Sequence, residues 1–477
     1  MKCFSSIMIF FLFISSANAQ KILSLDDALS IALNESYSIK SAQYNLISSE
    51  RNLEAIQLGL RTSVDLTIDA PNYQRSLVRQ FNPITETEQF YQIGNTRVQT
   101  NLSINQPIVF TNGRFSVIGS LFGRDQFSET RAKIRDYYSN LYLQLNQPLF
   151  AFNMQKANLY RAELNLQKTR KNYSKAEADI IYNVTSSFYE LFQTKKNLEI
   201  TEEKVNQTKL SYETAMNKFR AGLIAEVEAL QLEVDLATAR NEQLNAQRRY
   251  EESKNNFKLL IGLPLDETLE ISAELDYNPV DIQTDEAVEF ALTNRPELFN
   301  SQVDIRLNEM QVEQIESEKR IKAELNVNYG INKVDEKFNN IFNDFLENRS
   351  VVFTLLVPIW DWGKNSRNVE SAEANLKLSK LSYDNQRKQI INEINQIVNK
   401  INSARSRVEV LSRSIEVAEK SFNISLDRFR SGNITSFDLS QMQLRLTDAK
   451  VNSLNALIDY KLALADLFRR TLHDFTK

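Results

Sequence analysis

Ile394-Asn395-Gln396-Ile397-Val398-Asn399-Lys400-Ile401 opens a run that closes in Phe429-Arg430-Ser431-Gly432-Asn433-Ile434, and its reading decides the fold. Ile394, Ile397, Ile401, Ala404, Val408, Leu411, Ile415, Ala418, Phe422, Ser425 and Phe429 recur at spacings of three and four. That is a sustained heptad seam, the buried stripe of a long coiled-coil helix. Gly432 follows the last seam residue, where a left-handed C-terminal cap is expected. Leu439, Met442, Leu446, Ala449, Ala456, Tyr460, Ala463 and Leu467 then carry a second seam back along a returning helix.

The same text stands 210 residues earlier. Ser211/Ser421, Phe219/Phe429, Arg220/Arg430, Gly222/Gly432, Ala239/Ala449 and Tyr250/Tyr460 align without a gap. The earlier seam (Val184, Leu191, Leu198, Val205, Tyr212, Phe219) alternates with small or hydroxylated residues such as Ser187, Thr194 and Thr201. Nearer the start, Ser24-Leu25-Asp26-Asp27-Ala28…Leu33 matches Gln283-Thr284-Asp285-Glu286-Ala287…Leu292 at an offset of 259, and the register holds through Leu66/Leu325. The chain is therefore written twice. The first copy spans 20–262 and the second 263–477, with Gly262-Leu263-Pro264 as the stop between them. The two offsets differ because the first copy holds an additional segment at about 71–139. Asn153 to Phe219 contains neither Pro nor Gly, so a continuous helix there would run roughly 100 Å at 1.5 Å per residue.

Between the helices lie strands. Val64, Leu66 and Ile68 alternate with Asp65, Thr67 and Asp69; Leu325, Val327 and Tyr329 alternate with Asn326 and Asn328; Leu141, Leu143 and Leu145 alternate with Tyr142, Gln144 and Asn146. Val351–Val357 forms a less regular fourth strand. One apolar and one polar face over about ten residues is the pattern of a membrane barrel with a wet lumen. A pair of strands per copy has edges to satisfy, so four strands per chain imply closure by several copies. The additional segment holds the turn Thr111-Asn112-Gly113, and Leu102-Ser103-Ile104-Asn105-Gln106-Pro107 echoes Leu143–Pro148. It is expected to be a hairpin that either enlarges the barrel or folds over its mouth. Phe150 and Phe152, and Trp360 and Trp362, stand where strand gives way to helix, a place suited to the membrane–water interface.

The ends and the composition narrow the function. Met1-Lys2, the apolar run Ile7–Ile14 and Ala17-Asn18-Ala19 read as a signal peptide over 1–19, cleaved after Ala19, which removes Cys3, the one cysteine. No disulfide or thiolate site then remains. The 57 basic and 61 acidic residues are spread along the chain, with no basic stripe for nucleic acid. His473 is the sole histidine and is expected on the surface. No phosphate loop, histidine cluster or nucleophile elbow occurs, so neither an enzyme, a metal site nor a cofactor is expected.

Taken together, the duplicated Ala28…Leu33 and Ala287…Leu292 starts, the Pro358-Ile359-Trp360-Asp361-Trp362-Gly363 junction and the paired Phe-Arg-x-Gly turns resemble the TolC-type outer-membrane efflux family over essentially the whole mature chain. The resemblance implies a mainly α fold with membrane β: a homotrimer whose 12-stranded β-barrel sits in the outer membrane above a coiled-coil α-helical barrel reaching into the periplasm. It implies a passive exit duct for small molecules such as drugs, working with a periplasmic adaptor and an inner-membrane pump. Phe219, Arg220, Gly222, Phe429, Arg430 and Gly432 would form the periplasmic tip where the adaptor docks. Glu228 and Asp438, six positions past the glycines, stand where the family carries acidic residues near the tip, and would make carboxylate rings in a trimer. Ile434 departs from relatives with a basic residue there, so packing is expected to hold the closed tip. Polypeptide export, and a periplasmic coiled coil without a pore, are the competing readings.

Overall fold

The expected helices form as whole units. In the computed structural model, which describes residues 21–82, 85–128, 131–272 and 276–475, the chain runs β1 (Lys21–Leu23), α1 (Leu25–Glu35), α2 (Tyr37–Gly59), β2 (Ser63–Asn82), β3 (Thr87–Ile108), β4 (Gly113–Ser128), β5 (Arg131–Leu149), α3 (Met154–Arg220) and α4 (Glu226–Ile261). It continues β6 (Leu269–Ile271), α5 (Thr284–Asn294), α6 (Pro296–Ser317), β7 (Lys322–Asp335), β8 (Leu346–Leu356), α7 (Lys364–Arg430) and α8 (Ser436–Thr471). The expected signal peptide, with Cys3, lies outside the described residues.

α3 and α7 are each 67 residues long, as the absence of Pro and Gly allows. Their seams point inward: Ile394, Ile397, Ile401, Ala404, Val408, Phe422 and Phe429 are buried, as are Val184, Leu191 and Ala215. The earlier seam is broader than its heptad, because Phe188 and Phe192 are buried beside it. They join Ala28 and Ala32 of α1, Phe257 and Ile261 of α4 and Ile458 of α8 in one core, closed by the short parallel pair β1–β6. Gly262 ends α4 at φ +84°, and a Cβ there would lie 2.7 Å from the Glu35 carbonyl oxygen, so both conformation and space require glycine.

The chain divides into two compact units that cut across the repeats. One gathers the chain up to Tyr44, Lys171–Pro296 and everything from Gln386 on; the other is Asn45–Arg170 with Glu297–Asn385. The second unit holds one antiparallel sheet in the order β2-β3-β4-β5-β7-β8. This corrects the four-strand expectation. In the second copy β7 and β8 pair directly, whereas in the first β3 and β4 stand between β2 and β5. The additional segment does not fold back over the sheet; it is two more strands of it. His473 also departs from expectation: it is half-buried and stacks on Phe290 with ring centroids 3.8 Å apart.

Candidate functional site

Antiparallel partners share a face, so the register assigns both sides of the sheet. Ser63, Asn105, Ser116, Gln144, Asn328 and Ser350 form one row across all six strands. Four residues further along, Thr67, Asn101, Ser120, Asn140 and Asn332 form another on the same face. These side chains bond to one another: Ser116 Oγ donates to Asn105 Oδ1 at 2.7 Å, Gln99 Nε2 to Asn101 Oδ1 at 2.6 Å, and Asn146 Nδ2 to Asn326 Oδ1 at 2.8 Å. The opposite face carries Val64, Ile104, Val117, Leu143 and Tyr329 in one row, and Leu66, Leu102, Leu141 and Ile331 in the next. It is bare, with Leu66 62% and Val351 72% exposed. A sheet in water does the reverse, covering its apolar face and wetting its polar one. Both edges, β2 and β8, are open along their length.

All strand ends that lead to helices lie at one end of this sheet. Phe150 there has φ +60° and Trp362 has φ +58°, left-handed conformations that cost a bulky residue about 1–2 kcal/mol. Trp360 and Trp362 are largely exposed and meet edge to face at 5.5 Å; Phe150 is exposed and Phe152 half-buried. Asp361 stabilises the entry to α7 by accepting from the N–H groups of Gly363 and Asn365, each at 2.9 Å, and these bonds hold its carboxyl below the usual range. Phe110, at the β3–β4 turn, is a fourth exposed aromatic at this end, beneath the Lys156 ammonium at 4.8 Å. Extending the Gln106-Pro107 echo of Gln147-Pro148 by three residues would have found it.

The two glycine turns lie in the other unit and close as Schellman motifs. Gly222 N–H donates to Phe219 O at 2.8 Å and Leu223 N–H to Lys218 O at 2.9 Å; Gly432 and Asn433 make the equivalent bonds at 3.0 and 2.8 Å. Gly222 and Gly432 have φ +73° and +80°, with open space where a Cβ would stand. The turns share a core of Ala215, Leu232, Phe422, Phe429 and Leu439, into which Phe219, Ile224 and Ile434 also pack. Phe429 is thus interior, and the surface of the tip is made by Arg220, Arg430, Leu223 and Phe437. Lys218 Nζ bonds the Phe429 carbonyl oxygen and lies 4.5 Å from its ring, tying one turn to the other.

Asp438 is the third residue of α8. Its Oδ2 accepts from Thr435 N–H at 3.2 Å and Thr435 Oγ1 at 2.8 Å, while Thr435 Oγ1 accepts from Asp438 N–H at 3.2 Å, a reciprocal capping box. The Thr435 side chain, then its backbone, lowers the carboxyl's pKa. Glu228 holds the same position on α4, but Ala225 offers no side-chain cap. Among the described residues no cluster of His, Cys, Asp or Glu could hold a metal ion.

The sequence profile of the outer membrane efflux protein family matches residues 119–263 and 287–471. The fold is similar to the CmeC outer membrane channel of Campylobacter jejuni, with TM-score 0.72 and 15% identity over 94% of this chain and 85% of that one. It is similar also to the outer membrane protein VceC of Vibrio cholerae, with TM-score 0.70 and 15% identity over 94% and 96%. Toxin and drug export protein A of Aggregatibacter actinomycetemcomitans is 21% identical over 49% of this chain, a match spanning about half (50%) of that protein's length.

Proposed function

The chain belongs to the outer membrane efflux protein family, and from that premise we propose that it is a passive exit channel of the outer membrane, closed by three copies. The sheet with its apolar face bare and its polar face hydrogen-bonded carries this reading, because only lipid outside and water inside suit both faces. Closure in threes pairs each β2 with a neighbour's β8 and leaves no edge. With six strands from each of three copies, the wall has eighteen strands rather than twelve, and a barrel about half again as wide. The exposed aromatics at the helix end of the sheet fit the inner headgroup layer. The helical seams form the periplasmic duct, and the two glycine turns its tip, where an adaptor joins an inner-membrane pump. Glu228 and Asp438 sit one turn into the returning helices, where three copies would set carboxylates around the narrow end. Cargo is small molecules such as drugs; the wide barrel and the toxin-exporting relative favour polypeptide export as the second reading.

The test is insertion. Val351→Arg, on the bare face, should remove the protein from the outer-membrane fraction, since arginine facing lipid costs about 2–4 kcal/mol in each copy at the bilayer midplane. Ser350→Arg, on the polar face, should leave a detergent-stable trimer that conducts in a planar bilayer. Release of unmodified protein by osmotic shock, with no conductance, would make it a periplasmic rod.

A further inference from the structure

β3, β4 and β5 bring an unusual group of side chains onto the polar face. Arg97 on β3 pairs with Arg124 on β4, and Arg124 with Asp136 on β5. In the adjacent row of that face, Gln99 pairs with Phe122 and Phe122 with Tyr138. Phe122 and Tyr138 stack, 4.0 Å between centroids and 13° apart. The Arg97 guanidinium lies 4.1 Å over the Phe122 ring and the Arg124 guanidinium 5.4 Å over Tyr138. Arg124 donates to Asp136 Oδ2 at 2.6 Å and Tyr138 Oη at 2.7 Å, so the one carboxylate in the group is taken.

Arg97 is left over. It is within ion-pair distance of no carboxylate among the described residues, and Asp69, one row away on the same face, makes no ion pair with it. Its Nε, the Nε of Arg124 and the Oδ1 of Asn95 in the next row are out of solvent and without a hydrogen-bond partner. A guanidinium stacked on a ring keeps its in-plane N–H donors free, and those donors match the oxygens of a carboxylate or sulfonate. A ring pair beside them offers an apolar wall to the body of the same molecule. Three copies place three such groups at one level of the lumen, where the field of like charges around an aqueous path favours anions.

We propose that Arg97, Phe122, Tyr138 and Arg124 form a lumenal binding site for organic anions, aryl carboxylates and sulfonates, during their passage through the barrel. It rests on the channel reading above. The site belongs largely to the inserted strands β3 and β4 and is separate from the carboxylates of the tip.

Purified full-length trimer in a planar bilayer, with naphthalene-1-sulfonate as the probe, tests it. The wild-type channel should show brief blocks by the sulfonate and none by naphthylmethylammonium. Arg97→Gln should shorten those blocks about tenfold, the worth of one charge-assisted bond pair, and move the reversal potential in a KCl gradient toward cations. Arg97→Lys should restore the reversal potential but not the block, because an ammonium neither stacks nor forks. Phe122→Leu should shorten the block with the reversal potential unchanged, and it decides the matter should Arg97→Gln not assemble. Arg75→Gln, on the opposite face of the sheet, should change nothing. Equal block and selectivity in wild type, Arg97→Gln and Phe122→Leu overturns the site while leaving the channel standing. A trimer without conductance overturns both.

Discussion

The two halves of the chain match in the lengths of their long helices and part company in their strands. α3 and α7 have 67 residues each, α4 and α8 have 36 each, but the first copy supplies four strands to the sheet and the second two. The helices cannot change length independently, because both glycine turns meet in one core and a longer partner would carry its turn out of it. The sheet has no such common end point. It accepts an inserted hairpin provided the number of strands is even, so that the chain returns to the side from which α3 must start. The faces are preserved as well, since Ser63, Asn105, Ser116 and Gln144 keep the polar row unbroken through the insertion.

Excision of residues 87–128 is the largest perturbation of this contrast. It leaves β2 and β5 joined by a short link on the same side, the arrangement of β7 and β8. Conductance should drop to roughly half, as diameter follows strand number and cross-section its square. Unchanged conductance would mean that β3 and β4 are not part of the wall.

The turns give a smaller effect. Valine at φ near +80° is strained by about 1–2 kcal/mol, little beside the buried seams of the helices, and neither glycine has a neighbour to clash with. Gly432→Val should therefore leave the amount of trimer normal while reducing export and cross-linking to an adaptor, and the variant carrying Gly222→Val as well should do worse. Normal export with undiminished cross-linking would remove docking from the turns. Loss of the trimer would make the glycines structural.

Smallest is the difference in caps. Thr435→Ala should cost about 1 kcal/mol in the first turn of α8, read as faster amide exchange at Phe437–Leu439. Ala225→Thr, which creates the capping box with Glu228 that the first copy lacks, should slow exchange in α4. Acid sharpens the same contrast. Asp438 loses its proton more readily in the capped turn than in an unfolded chain, so its stabilisation is complete above about pH 4 and is lost as the pH falls further. Protection at the start of α8 should be level from pH 7 to about pH 5 and fall below about pH 4, and Asp438→Asn should abolish that step.

The helical part of the protein was legible because its signals are periodic and local. Seams at three and four, glycine after the last seam residue and Ser24 or Thr435 three residues before an aspartate each specify a conformation within a few turns of themselves. The Thr435…Asp438 box is readable on those grounds. Phe429 ends the seam and is buried, as its place in the heptad pattern implies.

What the sequence by itself determined is which residues lie in helices and strands, which face of each is apolar, and that the order is repeated. Which strand lies beside which was decided by the tertiary structure. Alternation with period two assigns a face to a strand but names no neighbour, so the echo of Leu102–Pro107 in Leu143–Pro148 fitted a lid and a wall equally well. Only backbone pairing over the length of β3 and β4 made the insertion two strands of the sheet. The same pairing set Arg97 beside Phe122 and Arg124, residues that stand 25 and 27 positions apart in the chain and share no local pattern.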